Sequence, residues 1–308
     1  MIRTQQLTKH YGKTKALEDL NLHIEKGQVF GFIGPNGAGK STTMMILSCL
    51  LLPTSGTAYV GGYNVLTHPE EVRQLVGYMP DFFGVYDNLK TTEYLDFYAG
   101  AYFIPKSKRP GLIADLLELV NLSNKKDAYV DSLSRGMKQR LGLARCLIHN
   151  PEVLILDEPA SGLDPRARIE LREILKELKR MKKTIMISSH ILPELAEICD
   201  QIGVIEKGRM LACGSVEEMA LRVKGIHVLL VRVLKERERA ARILEEHPQV
   251  KQVDDQRDHL RVMFTGSKAD QAALLKYLLA EEVPVVDFSA DKENLEDVFL
   301  AITERMGS

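Results

Sequence analysis

The first 220 residues alternate between short apolar runs and longer runs of helical character. The short runs are four to six residues long, which is typical of strands buried on both faces of a parallel sheet; they cover residues 28–33, 76–79, 153–156 and 184–188. The longer runs carry apolar residues at helical spacing or lack Pro and Gly; they cover residues 42–52, 92–102, 109–119, 134–150 and 165–181. This alternation predicts an α/β fold with helices on both faces of a mostly parallel sheet.

Two stretches within this region depart from that alternation. Near the N-terminus, residues 2–7 have strand character and residues 20–24 alternate apolar and polar positions, the pattern of a half-buried antiparallel strand. Residues from about 81 to 151 carry mainly helical patterns, and the strand pattern resumes only at Val153. We therefore predict one domain over residues 1–220, with an antiparallel β subdomain and a helical insertion.

A different pattern follows residue 224. Its order is strand, helix, strand, repeated once; the strands cover residues 226–234, 250–253, 259–264 and 283–288, and the helices cover residues 236–246 and 268–280. Two such βαβ units in tandem predict a small α+β, ferredoxin-like sandwich over residues 225–308. A last helix is predicted at residues 295–304.

The net charge and the apolar runs argue against nucleic-acid-binding, secreted and membrane-spanning proteins. A formal charge of −1 over 308 residues gives no overall electrostatic footprint for nucleic acid, so we expect no nucleic-acid partner. The N-terminus lacks the apolar core of a secretory signal, and the longest apolar run, residues 44–52, is too short to cross a bilayer. We expect a soluble protein of the cytoplasm. The cysteines match no metal-ligand spacing and are predicted to be buried in a reducing compartment; they are Cys49, Cys146, Cys199 and Cys213.

A glycine-rich stretch lies between the strand at 28–33 and the helix that follows. It has P-loop spacing and consists of Gly34, Pro35, Asn36, Gly37, Ala38, Gly39, Lys40, Ser41 and Thr42. Glycines let successive backbone N–H groups turn towards one anion, and the helix adds the positive end of its dipole. Lys40 would reach the terminal phosphates of a nucleoside triphosphate, and Ser41 would place its hydroxyl on Mg²⁺. The alternative, a glycine-rich turn followed by a chance Lys-Ser pair, does not explain the strand–loop–helix context.

Two adjacent carboxylates follow the apolar strand at 153–156. The carboxyl ends of strands are where an α/β sheet places its ligands. Asp157 is predicted to hold the Mg²⁺ shell that bridges the phosphates, and Glu158 to polarise an attacking water as general base. The alternative is an ordinary strand end with two solvated acids.

Further motifs follow in a fixed order, and together they identify a family. Leu133-Ser134-Arg135-Gly136-Met137 precedes a long helix, Ser161-Gly162-Leu163-Asp164 follows the carboxylates, and His190 follows the strand at 184–188. With the P-loop, the two carboxylates and Tyr11, this order resembles the ATP-binding subunits of ABC transporters of the ABC-2, exporter-like type. The resemblance covers residues 2–216, and the tail around residues 293–300 resembles the accessory domain of ABC-2 ATPases.

The resemblance implies roles for these residues. ATP would stack its adenine on Tyr11, residues 34–42 would be Walker A, and residues 153–158 Walker B. Ser134 and Gly136, of the signature motif, would bind the ATP of a second subunit in a head-to-tail dimer. Asp164 belongs to the D-loop of that arrangement, and His190 would contact the γ-phosphate.

Taken singly, some of these residues have ordinary interpretations. A serine before a helix is far more often an N-cap than a phosphate ligand, which applies to Ser134. His190 alone could be a satisfied histidine at a strand end, and Tyr11 alone a packed aromatic residue.

The sequence departs from the family pattern at two places. Asp81 stands where the family has a glutamine that contacts the metal-bound water and couples to the membrane subunit. We expect Asp81 to take the same place with an altered metal contact. In the signature, Arg135 and Met137 replace the usual Gly and Gln, and Met137 cannot hydrogen-bond as Gln would.

The leading hypothesis is an ATPase subunit that powers transport, with export expected, through separate permease subunits in the membrane. It would act as a homodimer or with a paired ATPase subunit, on the inner face of the cell membrane. The alternative is a soluble ABC ATPase that acts on ribosomes or DNA, but those usually carry two cassettes or long coiled coils. A regulator that binds ATP without hydrolysis is disfavoured because Glu158 and His190 are both present.

Overall fold

The computed structural model describes residues 1–81, 88–189, 197–215, 218, 226–256 and 258–290. The chain folds into two compact units, Met1–Val216 and Glu217–Ser308. The strands of the first unit are β1 (Ile2–Tyr11), β2 (Thr14–Ile24), β3 (Val29–Ile33), β4 (Ser55–Val60), β5 (Tyr63–Asn64), β6 (Val76–Met79), β7 (Val153–Leu156), β8 (Thr184–Ser189), β9 (Gln201–Glu206) and β10 (Arg209–Ser215). Its helices are α1 (Lys40–Leu47), α2 (Pro69–Leu75), α3 (Thr91–Ala101), α4 (Arg109–Leu119), α5 (Arg135–Leu147) and α6 (Pro165–Arg180).

A six-stranded sheet forms the centre of the first unit, in the order β10-β9-β3-β8-β7-β6. The five strands from β9 to β6 are parallel, and β10 is antiparallel at the edge. Every residue of β3, β7 and β8 is buried, which explains why their sequences are apolar without alternation. The predicted α/β fold class is confirmed, and the carboxyl ends of β3, β7 and β8 meet at one edge of this sheet.

A second, antiparallel sheet in the order β2-β1-β4-β5 lies in the same unit. Its inward side chains share one hydrophobic core with α1 and the central sheet, including Leu20, Ile24, Phe30, Met44 and Ile155. Three helices, α3 to α5, occupy the chain between β6 and β7. Within the described residues no helix combines the length and apolar character needed to cross a membrane.

The second unit has the order β11 (Ile226–Val233), α7 (Arg237–Glu245), β12 (Val250–Asp255), β13 (Leu260–Thr265), α8 (Lys268–Ala280) and β14 (Val285–Ala290). All its strand pairs are antiparallel, in the order β12-β13-β11-β14. This is the topology of the predicted ferredoxin-like sandwich. The unit has its own core, in which Leu229, Leu244, Phe264 and Leu278 are buried.

The structure corrects several details of the sequence interpretation. The helix predicted at 42–52 is α1, Lys40–Leu47: it starts directly after Gly39, and Cys49 takes a left-handed conformation at its end. Helix α2 was missed because it buries only Val72 and so carries little periodicity. The cysteine prediction was wrong for Cys213, which is exposed, and for Cys49, which is half-buried. The predicted helix at 295–304 lies outside the described residues.

Candidate nucleotide-binding and catalytic site

The P-loop has a backbone path that only glycine permits at two positions. A Cβ on Gly34 would lie 2.3 Å from the carbonyl oxygen of Ile205. At Gly39, φ is +110°, and a Cβ would lie 2.6 Å from the carbonyl oxygen of Ala16. Close approach and left-handed backbone are the two conditions that select glycine. The loop is therefore held between the end of β9 and the start of β2.

Lys40 is the first residue of α1, and its side chain is only 6% exposed. Its Nζ donates to the carbonyl oxygens of Gly34 (2.6 Å) and Pro35 (3.3 Å), and it lies 3.3 Å from Oε1 of Glu158. The predicted phosphate-binding lysine and the predicted general base thus meet at one point. A buried ammonium group that already faces the loop is placed to exchange these carbonyls for phosphate oxygens.

A cavity of about 270 Å³ opens at this point. Its lining consists of Pro35, Asn36, Gly37, Ala38, Gly39, Lys40, Ser41, Thr42, Ala16, Asp81 and Glu158. The structure therefore brings almost the whole predicted phosphate-binding loop together with both Glu158 and Asp81. Sequence reasoning missed Ala16, which lies in β2 and carries no chemical signal of its own.

The two carboxylate residues that follow β7 differ in their backbone hydrogen bonds. The N–H group of Asp157 continues the parallel ladder by donating to the carbonyl of Met79 (2.8 Å), and Asp157 is 2% exposed. Glu158 turns sharply with φ of +48°, and its N–H donates to the hydroxyl of Ser188 (2.8 Å). That same hydroxyl donates to Oδ1 of Asp157 (2.7 Å). Ser188 was not predicted as a site residue; the signal available was a polar residue ending a buried apolar strand.

The negative charge here affects a neighbouring tyrosine. Burial raises the pKa of Tyr78 above its ordinary value, and the nearby charges of Asp157 and, to a smaller extent, Cys146 and Asp81 raise it further. Asp81 is thus close enough to Tyr78 to raise its pKa, and it also lines the cavity. Residues 82–87 lie outside the described part of the chain.

The donor set fits Mg²⁺ in chemical type. Mg²⁺ takes hard oxygen ligands and usually binds through one or two carboxylates together with substrate phosphates. Ser41 offers a hydroxyl and Asp81 a carboxylate in the cavity lining. Asp157 precedes Glu158 in the chain but does not itself line the cavity. Among the described residues, no group of three or more His, Cys, Asp or Glu side chains is placed to hold a metal ion.

Tyr11, the predicted adenine platform, is the last residue of β1 and is 47% exposed. Nζ of Lys9 lies 5.2 Å from its ring centroid, in a cation–π contact. Tyr11 does not line the cavity that the P-loop forms. Its adenine role stays a prediction.

The signature residues lie at the start of α5, next to the D-loop. Ser134 is the N-cap and accepts a hydrogen bond from the N–H of Met137 (3.3 Å). A Cβ on Gly136 would lie 2.8 Å from Cβ of Ala167, and one on Gly162 would lie 2.5 Å from the guanidinium of Arg135.

Asp164, in turn, caps α6 by accepting from the N–H of Ala167 (2.9 Å). Signature and D-loop therefore interlock through close glycine contacts. Neither Ser134 nor Asp164 lines the P-loop cavity. The predicted switch histidine, His190, lies outside the described residues.

Known proteins match this chain over nearly its whole length. A family model described as ABC transporter matches residues 17–161, and one described as ATP-binding protein DrrA1-3-like, C-terminal domain, matches residues 214–303. The bacitracin transport ATP-binding protein BcrA of Bacillus licheniformis is 34% identical over 98% of this chain and 97% of that protein. The Nod factor export ATP-binding protein I of Ralstonia nicotianae is 33% identical over 99% of this chain and 94% of that protein. The linearmycin resistance ATP-binding protein LnrL of Bacillus subtilis is 30% identical over 99% of both chains.

Solved structures give the same result for the first unit. The structure of an ATP-binding subunit of an ABC transporter has a TM-score of 0.65 at 30% identity, covering 72% of this chain and 92% of that one. A dimeric bacterial ABC transporter cassette has a TM-score of 0.64 at 26% identity, covering 70% of this chain and 99% of that one. With its P-loop, paired carboxylates and full-length relatives, the chain belongs to the ATP-binding subunits of ABC transporters, which hydrolyse ATP to power transport.

Proposed function

We propose that this chain binds ATP with Mg²⁺ at the P-loop cavity and hydrolyses it with Glu158 as general base. The observation that carries the proposal is the 3.3 Å contact between Nζ of Lys40 and Oε1 of Glu158 at the cavity wall. A phosphate that enters the loop competes with Glu158 for the ammonium group of Lys40. Binding therefore frees the carboxylate at the place where an attacking water must be deprotonated.

The remaining site residues would bind the phosphates and the metal ion. Backbone N–H groups of residues 36–42 and the N-terminus of α1 would hold the phosphates, and Ser41 and Asp157 would hold Mg²⁺. The metal would supply charge neutralisation for the phosphate oxygens. Asp81 would contribute from the lining of the cavity. His190 keeps its proposed role at the γ-phosphate on sequence grounds alone.

We propose that two chains, or this chain and a paired subunit, form a head-to-tail dimer around two nucleotides. Ser134 and Gly136 start a helix whose N–H groups can bind an anion, yet Ser134 does not line its own chain's cavity. A second anion site away from the first makes sense if it serves the partner's ATP. The dimeric cassette with a TM-score of 0.64 supports this arrangement.

A groove in the first unit supports a permease partner. It has a volume of about 870 Å³ and is lined by Arg73 of α2, by Tyr102 and Phe103 after α3, and by Arg145 of α5. Phe103 is 91% exposed. Exposed aromatic residues beside cations are typical of protein interfaces. We propose that a cytoplasmic segment of a separate membrane permease docks here, which would place the chain on the inner face of the membrane.

Export is the proposed direction, because relatives that match the whole chain are named for transport of bacitracin, resistance to linearmycin and export of Nod factor. The alignments with these relatives extend over the DrrA-like C-terminal domain, because they cover 98–99% of this chain. We propose that this domain, residues 225–308, reinforces or regulates the dimer. The competing role on ribosomes or DNA predicts co-sedimentation with ribosomes or DNA, whereas the transport role predicts co-purification with a hydrophobic permease.

The substitution Glu158→Gln tests the catalytic proposal. We expect steady-state ATP hydrolysis to fall by roughly 10²- to 10⁴-fold, the contribution typical of a general base, while ATP binding is retained. Glu173→Gln is the matched control, because Glu173 is 57% exposed on α6 and pairs with Lys176 at the surface (2.8 Å). Hydrolysis by Glu158→Gln at the rate of the control would contradict the assignment of the base.

A further inference from the structure

The end of β8 carries a buried hydroxyl between the two carboxylate residues of the site. Ser188 is fully buried, and its Oγ lies 2.7 Å from Oδ1 of Asp157 and 2.8 Å from the backbone nitrogen of Glu158. One side chain therefore contacts both residues that follow β7. This contact crosses from one strand to its parallel neighbour, since β7 and β8 pair up to Leu156 and Ile187.

The chemistry of the three groups decides the direction of both hydrogen bonds. A backbone N–H can only donate, and a carboxylate oxygen can only accept. The single proton of the Ser188 hydroxyl must therefore point to Asp157, and its lone pair must receive the N–H of Glu158. Alanine at this position would leave a buried donor and a buried acceptor without this partner at once.

These two hydrogen bonds lie at a turn whose backbone conformation is strained. Glu158 has φ of +48°, a left-handed conformation that costs a non-glycine residue free energy and persists only where surrounding contacts hold it. Its N–H bond to Ser188 is a contact that fixes this turn. The bond to Oδ1 fixes the rotation of the Asp157 carboxylate. Water does not compete for this bond, because Asp157 is only 2% exposed.

We propose that Ser188 is a positioning residue for ATP hydrolysis, which sets the Asp157 carboxylate and the turn at Glu158 in one step. It touches neither nucleotide nor water in this role and acts through its two neighbours. The proposal rests on the proposed roles of Asp157 and Glu158. It assigns to Ser188 a function in turnover beyond the packing of β8.

The test compares Ser188→Ala, Ser188→Thr and a matched control, Thr184→Val. Thr184 is also fully buried in β8, and its hydroxyl accepts a single backbone N–H, from Gly27 (2.9 Å), at the opposite end of the strand. We expect kcat to fall roughly tenfold or more in Ser188→Ala, the effect of losing a hydrogen bond to a charged group, with little change in KM for ATP. Ser188→Thr keeps the hydroxyl and should recover most of kcat, and Thr184→Val should keep it.

A second measurement does not depend on activity. Hydrogen–deuterium exchange of the free protein should show faster exchange in the peptide that contains Asp157 and Glu158 in Ser188→Ala, and unchanged exchange there in Thr184→Val. Affinity for ATP without Mg²⁺ should be unchanged, whereas the gain in affinity on adding Mg²⁺ should shrink.

Two results would overturn the proposal: a wild-type kcat in Ser188→Ala, or an equal loss in the Ala and Thr variants. Absence of turnover in the unmodified chain would instead contradict the proposed hydrolysis itself, so the two failures are distinguishable.

Discussion

At the scale of single residues, the site is built from side chains that compensate one another in a small volume. Lys40 is 6% exposed and Glu158 is 12% exposed, and each is the other's counter-charge. Two buried charges are tolerated only when they are paired and hydrogen-bonded. The carbonyl oxygens of Gly34 and Pro35 accept further hydrogen bonds from the ammonium group of Lys40. The site is thus arranged so that phosphate can replace the Glu158 carboxylate as the counter-charge of Lys40 without leaving that ammonium group unpaired.

Asp81 stands where the resemblance predicts a glutamine, and it yields a direct prediction. Its carboxylate shares the cavity with Ser41. Replacing it by Asn removes the charge and keeps the shape, so the Mg²⁺ concentration needed for half-maximal hydrolysis should rise several-fold. A Mg²⁺ titration at saturating ATP measures this. Asp81→Gln, which restores the amide usual in the family, is the comparison, and an unchanged Mg²⁺ requirement in Asp81→Asn would remove the metal role.

At the scale of elements, the strand ends were predictable from sequence and the contacts between elements were not. Asp157 and Glu158 follow an uninterrupted apolar run, and the P-loop is a contiguous motif, so both could be located by local reading. The contact of Ser188 with Asp157 joins residues 31 positions apart and depends on the order of strands in the sheet. The same holds for Gly136 on Ala167, because nothing near Gly136 in the sequence indicates which helix it faces.

That glycine contact predicts a compensating pair of substitutions. Gly136→Ala places a Cβ 2.8 Å from Cβ of Ala167, well inside the optimal separation of roughly 3.5–4.0 Å, so α5 must shift away from α6. We expect ATP hydrolysis to fall while ATP binding at the P-loop is retained. Adding Ala167→Gly removes the opposing methyl group and should restore much of the rate.

Ala167→Gly alone is the control for this pair. It should cost about 1 kcal/mol of helix stability and little activity. If the double variant is no better than Gly136→Ala, the close approach of the two helices does not explain the need for glycine.

A buried arginine ties the same helices together. Nη1 of Arg140 donates to the carbonyls of Val120 and Asn121, both at 3.0 Å, and Nη2 lies 3.2 Å from Oε2 of Glu170. Leaving buried carbonyl acceptors without their donor costs about 1–3 kcal/mol, which corresponds to a fall in Tm of about 5 °C for a unit of this size. We expect Arg140→Leu to show that fall in thermal unfolding followed by circular dichroism.

Arg166→Leu provides a control with the same partner. Nε of Arg166 also lies 3.3 Å from Glu170, but its side chain is 90% exposed. A solvated pair contributes about 0–1 kcal/mol, so Tm should change little. Equal shifts in the two variants would mean that burial of Arg140 is not what makes the contact stabilising.

At the scale of the whole molecule, the two helix starts proposed to bind phosphate, those of α1 and α5, do not line the same cavity. The N-terminus of α1 belongs to the P-loop cavity, whereas Ser134 at the start of α5 lies outside its lining. In a head-to-tail dimer each complete site takes α1 from one chain and α5 from the other. Such a pairing is two-fold symmetric: α1 of each chain faces α5 of the other, so the interface is isologous and closes at two chains. The proposed dimer can therefore be tested by an experiment that combines two different chains.

Mixing two inactive variants should restore hydrolysis. Lys40→Ala removes the phosphate-binding lysine, and Ser134→Asp keeps a good N-cap for α5 but sets a carboxylate against the partner's phosphates. Each variant alone has two broken sites per dimer. A mixed dimer has one doubly broken site and one intact site, so random mixing should give about a quarter of the wild-type rate if the sites act independently. Ser134→Asn, which caps without charge, should be active by itself and controls for the loss of the hydroxyl. Mixed dimers isolated with two different affinity tags and found to be inactive would show that Ser134 does not serve the partner's ATP.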